Sequence, residues 1–212
     1  MSKTTTDQDR WATFDCYGTL IDWNGGLRSA LGSDELLERY HELEPQVQAE
    51  SPGRSYREIL TEVTRRLGVD DAGAPARSLP LWEPFPEVRP ALERARGNRW
   101  KLAILSNTDR DFIEASMQRI GVRFELAIVA SEIESYKPAH THWRRFFEEV
   151  DVPRDRYVHV AQSHFHDIVP ARALGLQSVW INRYGERHDE APTRELRDLQ
   201  ELPETLDELV PA

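Results

Sequence analysis

In Trp11-Ala12-Thr13-Phe14-Asp15-Cys16-Tyr17-Gly18-Thr19-Leu20-Ile21-Asp22 an apolar and β-branched run breaks off at Asp15, and a Gly-Thr turn follows. This is the pattern of a buried strand that delivers one carboxylate to the loop at its carboxyl end. Open α/β sheets bind their ligands at that end. Downstream, strand-like runs recur at 101–106, 124–130, 156–161 and 178–182, separated by helix-patterned segments at 109–120, 140–150 and 167–174. Strands alternating with helices signal a parallel sheet with crossover helices, so the fold class is α/β. Gly121 and Gly175 mark two of the helix ends. The tail, with Leu196, Leu199, Leu206 and Leu209, is expected to pack as one or two terminal helices.

A different kind of segment separates the first strand from the second. Residues 22–26 read as a turn-rich exit; Leu36, Leu37, Tyr40, Leu43 and Val47 then recur at helix spacing, with Pro45 expected to bend or interrupt that helix. Tyr56, Ile59, Leu60, Val63 and Leu67 make one face of a second helix stopped by Gly68, and residues 71–90 read as a loop, a short helix and a return linker. The expected organisation is a core of residues 1–24 and 85–212 and an all-helical insert of residues 25–84, placed as a cap over the site. Trp23 is expected to stand as a wall between the two.

Composition narrows the function classes. The 212 residues are 39% hydrophobic and 30% charged, with a net charge of −10 and no clustered basic surface, which argues against a nucleic-acid partner. No apolar run approaches the ~18 residues of a membrane span, and the polar start lacks the centre of a signal peptide, so a cytoplasmic location away from membranes is expected. The single cysteine, Cys16, cannot pair internally; beside Asp15 it invites a nucleophile reading, but at the end of a buried strand it reads as a small apolar residue.

Four predicted strand ends or following loops carry polar residues in order: Asp15, Ser106-Asn107, Lys137 and Asp167. A carboxylate can attack as a nucleophile and divide a hard displacement into two easier steps, which suits Asp15. A nearby ammonium keeps such a carboxylate ionised, which suits Lys137, and two carboxylates tolerate each other with a cation between them, which makes Asp167 the second partner of Lys137 and a helper in activating water. Ser106, Asn107 and Thr19 offer donors for a substrate carboxylate.

The run Phe14-Asp15-x-Tyr17-Gly18-Thr19-Leu20, together with those later residues in that order, resembles the haloacid dehalogenase (HAD) superfamily, and Tyr17 resembles its 2-haloacid dehalogenase branch. The resemblance implies a Rossmann-like HAD core with an inserted helical cap, catalysis by Asp15, Lys137 and Asp167, and a small haloacid as substrate. Asp15 would attack carbon 2 and displace a halide ion with inversion; water would then open the Asp15 ester and release the 2-hydroxyacid. In the superfamily's phosphatases the position of Tyr17 holds an aspartate that protonates the leaving alcohol. A phenol with a pKa near 10 is a poor substitute, whereas a departing halide needs no proton. No metal cofactor is implied, while an L-2-haloacid preference and a homodimer are.

The chain departs from that branch on the substrate side. Arg39 is the nearest candidate for an arginine that receives the halide, His164 stands for an asparagine, Gln162 for a serine, and Trp143 for a tyrosine whose aromatic wall it keeps. His164, His166 and Asp167 lack a clear further ligand for a metal site. Two other readings remain open at this level. One is a phosphatase of small phosphate esters with Mg²⁺ on Asp15 and Asp167, and the other is a protein that keeps the fold for binding and has lost catalysis.

Overall fold

The computed structural model describes residues 9–50 and 53–212. The expectation of an untargeted amino terminus falls on residues 1–10, of which 1–8 lie outside the described residues. Among the described residues, six strands form one sheet: β1 (Arg10–Phe14), β2 (Trp100–Ser106), β3 (Leu126–Val129), β4 (Tyr157–Ala161), β5 (Gln177–Ile181) and β6 (Arg194–Leu196). Their order is β3-β2-β1-β4-β5-β6, and every pairing is parallel. β1 is therefore central, with β2 on one side and β4 on the other, so the chain changes direction of travel across the sheet at β1. That is where an open α/β sheet leaves a crevice at its carboxyl edge.

The four inner strands β1, β2, β4 and β5 are buried on both faces, as parallel strands covered by helices must be. Ala12, Phe14, Leu102, Ile104, Val158 and Val160 belong to the main core cluster. Trp11, Ala103, Leu105 and Tyr157, one residue out of phase, join Trp143 and Phe146 in a second cluster on the opposite face.

The helices are α1 (Trp23–Leu31), α2 (Asp34–Glu50), α3 (Tyr56–Arg66), α4 (Ala74–Ser78), α5 (Val88–Gly97), α6 (Arg110–Ile120), α7 (Ala130–Ile133), α8 (Thr141–Glu149), α9 (Val169–Ala173) and α10 (Leu202–Leu209). Several differ from the sequence expectation. Residues 22–26 are a helix start, because the Asp22 carboxylate accepts from Gly25 N and Gly26 lets the Trp82 ring approach; a Cβ on Gly26 would lie 2.2 Å from that ring. α2 runs through Pro45 as one helix. α5 occupies what read as the end of a return linker and the segment beyond it, and Leu196 lies in the edge strand β6 instead of a terminal helix. No helix of the described residues is long and apolar enough to cross a membrane.

Candidate active site

Asp15 is the first residue past β1, and Gly18, at φ +87°, makes the turn after it in a conformation that other residues rarely adopt. That turn brings Thr19 back so that its hydroxyl donates to Asp15 Oδ2 at 3.0 Å. The other oxygen, Oδ1, accepts from Lys137 Nζ at 2.9 Å. The Lys137 ammonium also donates to Asp167 Oδ1 at 2.7 Å and to the Leu105 carbonyl at 2.9 Å, so its three protons have three acceptors. The lysine loop is fixed by Asn107, whose carboxamide accepts from Lys137 N at 2.6 Å and donates to Lys137 O at 3.0 Å.

Burial and charge set the protonation of this cluster. Desolvation pushes the Asp15 carboxyl up; Lys137 opposes it and the Asp167 charge adds to it. Desolvation also opposes ionisation of Asp167, but Lys137 and a hydrogen bond from His159 overcome it and bring the carboxyl down to about 2. Lys137 loses by burial and gains more from the two carboxylates, so it is held above its ordinary value. The result is a buried ammonium between two carboxylates at the carboxyl edge of the central strand.

Above them lies a cavity of about 810 Å³. Asp15, Lys137 and Asp167 line it together with Ser106 and Asn107; Trp23, Glu38, His41, Glu44, Gln48 and Tyr56, all contributed by residues 23–56, line the side from the helical segment. Ser106 Oγ is buried without a hydrogen-bond partner. Tyr17 also lines the cavity; its hydroxyl is hydrogen-bonded to Ser116 Oγ at 3.0 Å, its ring stacks on Tyr56, and burial pushes its phenol well above the usual tyrosine range. Burial and the Asp15 charge likewise raise the Cys16 thiol, and Cys16 does not line the cavity.

Three expected substrate contacts stand elsewhere. Thr19 is fully buried and touches Asp15 and the Gln162 backbone N–H instead of the cavity. Trp143 is fully buried in the second core cluster, edge-on to His159 at 5.1 Å, because the α8 face that carries it packs on the sheet. Arg39 is exposed and off the cavity: at 100° per residue the α2 face turned inward carries Glu38, His41, Pro45 and Gln48, one step out of phase with Arg39. Asn107 does line the cavity, but its amide is engaged with the Lys137 backbone. His164 lines it as well, with Nε2 on the Glu190 carbonyl at 2.7 Å and its ring stacked on His188 at 4.0 Å.

Two residues escape a reading of the sequence alone. His159, inside an apolar strand, reads as core, yet its Nε2 lies 2.9 Å from Asp167 Oδ1. Glu44 reads as part of a solvated helix face, yet burial pushes its carboxyl up to about 7 while Tyr56 and Tyr40 hydrogen-bond to it. A signal for His159 does exist, since an ionisable ring in a fully buried strand needs a polar partner on its own face of the sheet.

A family model described as haloacid dehalogenase-like hydrolase matches residues 10–175. The chain is 36% identical over 110 residues to haloacetate dehalogenase H-2 of Moraxella sp. (strain B), covering 51% of this chain and 49% of that protein. It is 33% identical over 129 residues to (S)-2-haloacid dehalogenase 2 of Pseudomonas sp. (strain CBS-3), covering 58% of this chain and 56% of that one. The chain thus spans about half the length of the curated relatives it matches. The solved structure of L-2-haloacid dehalogenase from Xanthobacter autotrophicus superimposes with a TM-score of 0.82 at 17% identity, over 94% of this chain and 98% of that one, a likeness of fold.

Proposed function

The chain belongs to the haloacid dehalogenase-like hydrolase family, and from that premise we propose that it hydrolyses the carbon–halide bond of short 2-haloacids through an ester on Asp15. The observation that carries this reading is the Lys137 ammonium held 2.9 Å from Asp15 and 2.7 Å from Asp167 beneath a cavity whose residue two places past Asp15 is a neutral phenol.

Asp15 is an oriented nucleophile: both of its oxygens are pinned by donors that favour the charged form against the desolvation that pushes its carboxyl up. Attack on carbon 2 sends the halide out on the opposite side, as an anion that needs no proton, so a Tyr17 that cannot act as an acid is no obstacle. The unpaired Ser106 hydroxyl is the free donor for the substrate carboxylate. Two proteins that the chain resembles act, by name, on haloacetate and (S)-2-haloacids, which supports short haloacids as the substrate class. In this reading the lysine takes the place between the carboxylates where a cation is needed, no step calls for a metal, and residues 25–84 serve as the cap that keeps bulk water away from the ester.

The test is halide release from chloroacetate and L-2-chloropropionate in the presence of a chelator, with the Asp15→Asn variant beside it. Release that survives chelation and disappears in the variant is expected. Phosphate release from p-nitrophenyl phosphate that requires Mg²⁺, with no halide released from either haloacid, overturns the proposal.

A further inference from the structure

Behind Asp167, on the face of the sheet away from the main core cluster, lies a buried polar chain that the reaction above does not use. Thr13 of β1 and His159 of β4 are register partners across the two central strands, and both are fully buried. Tyr157 Oη lies 2.5 Å from Thr13 Oγ1, Thr13 Oγ1 lies 2.8 Å from His159 Nδ1, and His159 Nε2 lies 2.9 Å from Asp167 Oδ1. With the ring neutral, one arrangement of protons uses every link: the phenol donates to the threonine, the threonine to Nδ1, and Nε2–H to the carboxylate. The chain therefore selects the tautomer that points a proton at Asp167.

Asp167 is asymmetric as a result. Its Oδ1 receives both Lys137 Nζ at 2.7 Å and His159 Nε2 at 2.9 Å, whereas its Oδ2 is buried with no hydrogen-bond partner, in a residue that lines the cavity. A buried carboxylate oxygen without a donor is costly unless something is meant to meet it. Two donors from different elements, the lysine loop and β4, converge on one oxygen and fix the carboxylate's rotation, which neither would do alone.

We propose that His159 is a positioning residue for the second half of the reaction: it locks Asp167 Oδ1 so that Oδ2 remains free to take the proton of the attacking water. The inference rests on the haloacid reading. Water oxygen bonds to the Asp15 carboxyl carbon while one of its protons passes to Asp167 Oδ2. The bond from that carbon to the oxygen carried by the substrate's carbon 2 then breaks, and the proton on Asp167 passes to the departing oxygen, giving the 2-hydroxyacid. Asp15 is left as a carboxylic acid and loses its proton to solvent, which restores the starting carboxylate. The first half, attack of Asp15 on carbon 2, needs Lys137 and Thr19 but not His159.

His159→Leu removes the donor at similar size, and His159→Gln keeps an N–H near the position of Nε2. With L-2-chloropropionate, the Leu variant is expected to release one equivalent of halide per site at the wild-type rate and then to turn over up to about 100-fold more slowly, the loss that a misplaced group can cause. Intact-protein mass should show the ester accumulating on it, and the Gln variant should recover most of the steady rate. A His159→Leu variant that turns over like wild type, or whose first-turnover halide release falls as far as its steady rate with no ester detected, overturns the role of His159 alone. If wild type itself releases no halide from any haloacid, the haloacid reading fails and takes this inference with it. If His159→Leu does not fold, the Gln variant and a nitrogen-15 spectrum of the wild-type ring decide: a proton on Nδ1 in place of Nε2 overturns the proposal.

Discussion

Lys137 shows how one side chain makes a buried site tolerable. Two buried carboxylates facing each other would repel or share a proton, and the ammonium between them, with its third proton on the Leu105 carbonyl, removes that conflict. Glu44 shows the opposite case, a half-buried carboxyl in the cavity wall that no cation among the described residues is seen to pair with. Tyr40 on its own helix donates to it at 3.4 Å and Tyr56 reaches it from α3, yet burial dominates and its pKa stands at about 7. The folded protein then binds a proton there that the unfolded chain has released once the pH exceeds ~4.3, so Glu44 lowers stability progressively as pH rises from ~4.3 to about 7 and keeps it lowered above that. Glu44→Gln keeps an acceptor for the tyrosines without the charge. Its melting temperature at pH 8 is expected to exceed that of wild type by ~2–4 °C, about 1 kcal/mol for a chain of this size, with the advantage gone near pH 5; an equal gain at both values would mean that ionisation is not the cause. Asp15, Lys137 and Asp167 are legible in the sequence only as a set, because each alone is an ordinary turn or cap residue and it is their order after successive strand runs that singles them out. The sequence cannot place Arg39, because helical spacing gives which residues share a face but not which face turns to the site. His159 went unseen because a strand's apolar run absorbs a single ring without breaking the pattern.

Asp109 joins two elements that the sequence treats separately. It stands at the start of α6, where a short polar residue ordinarily caps its own helix, but its side chain makes no such bond. Its oxygens instead accept from the backbone N–H groups of Tyr56 and Arg57 at 2.8 and 2.9 Å, the first residues of α3. α3 is thus capped twice, by Ser55 in a capping box with Glu58 and by a carboxylate from the loop that follows Ser106 and carries Asn107. Since Tyr56 lines the cavity, this tie sets the distance between the helical segment and the strand ends. Asp109→Ala is expected to cost about 1–2 kcal/mol, in the range of a lost cap, and to raise KM more than it lowers kcat. Urea unfolding and haloacid kinetics check both halves, and a stability loss with unchanged KM would make Asp109 a cap and nothing more. Most of the long helices and the first five strands were readable, the helices because each repeats its period over several turns and the strands because each is an unbroken apolar run. α1 was not, since Gly25 and Gly26 mimic a turn and only the distant Trp82 explains them, and neither was β6, whose three residues carry no pattern of their own.

Across the whole molecule the two edges of the sheet do different work. The carboxyl edge gathers Asp15, Ser106 and the residues after β4 around the cavity, while the amino edge is sealed by the C-terminal helix. There Asp207 of α10 accepts from Arg10 Nη1 at 2.8 Å, Trp100 Nε1 at 2.8 Å and Asn98 Nδ2 at 2.6 Å, which ties the first residues of β1 and β2 to the end of the chain. The Arg10 side chain is only 5% exposed and lies over the Trp100 ring at 4.8 Å, so its charge is nearly buried and depends on that carboxylate. Asp207→Ala leaves the guanidinium with carbonyl acceptors alone. A fully buried ion pair broken in this way costs ~3–5 kcal/mol, and because Asp207 is itself 36% exposed the expected loss is smaller, about 2 kcal/mol. For a chain of this length that is ~4–8 °C in melting temperature. The substitution lies at the opposite ends of β1 and β2 from Asp15 and Ser106, and packed strands carry no charge change along their length. Haloacid kcat and KM measured well below the new melting temperature should therefore stay within about twofold of wild type, since distant sites act independently. A kcat that falls together with the melting temperature would show that the sheet transmits the loss of its latch to the site, and that the two edges are one cooperative unit.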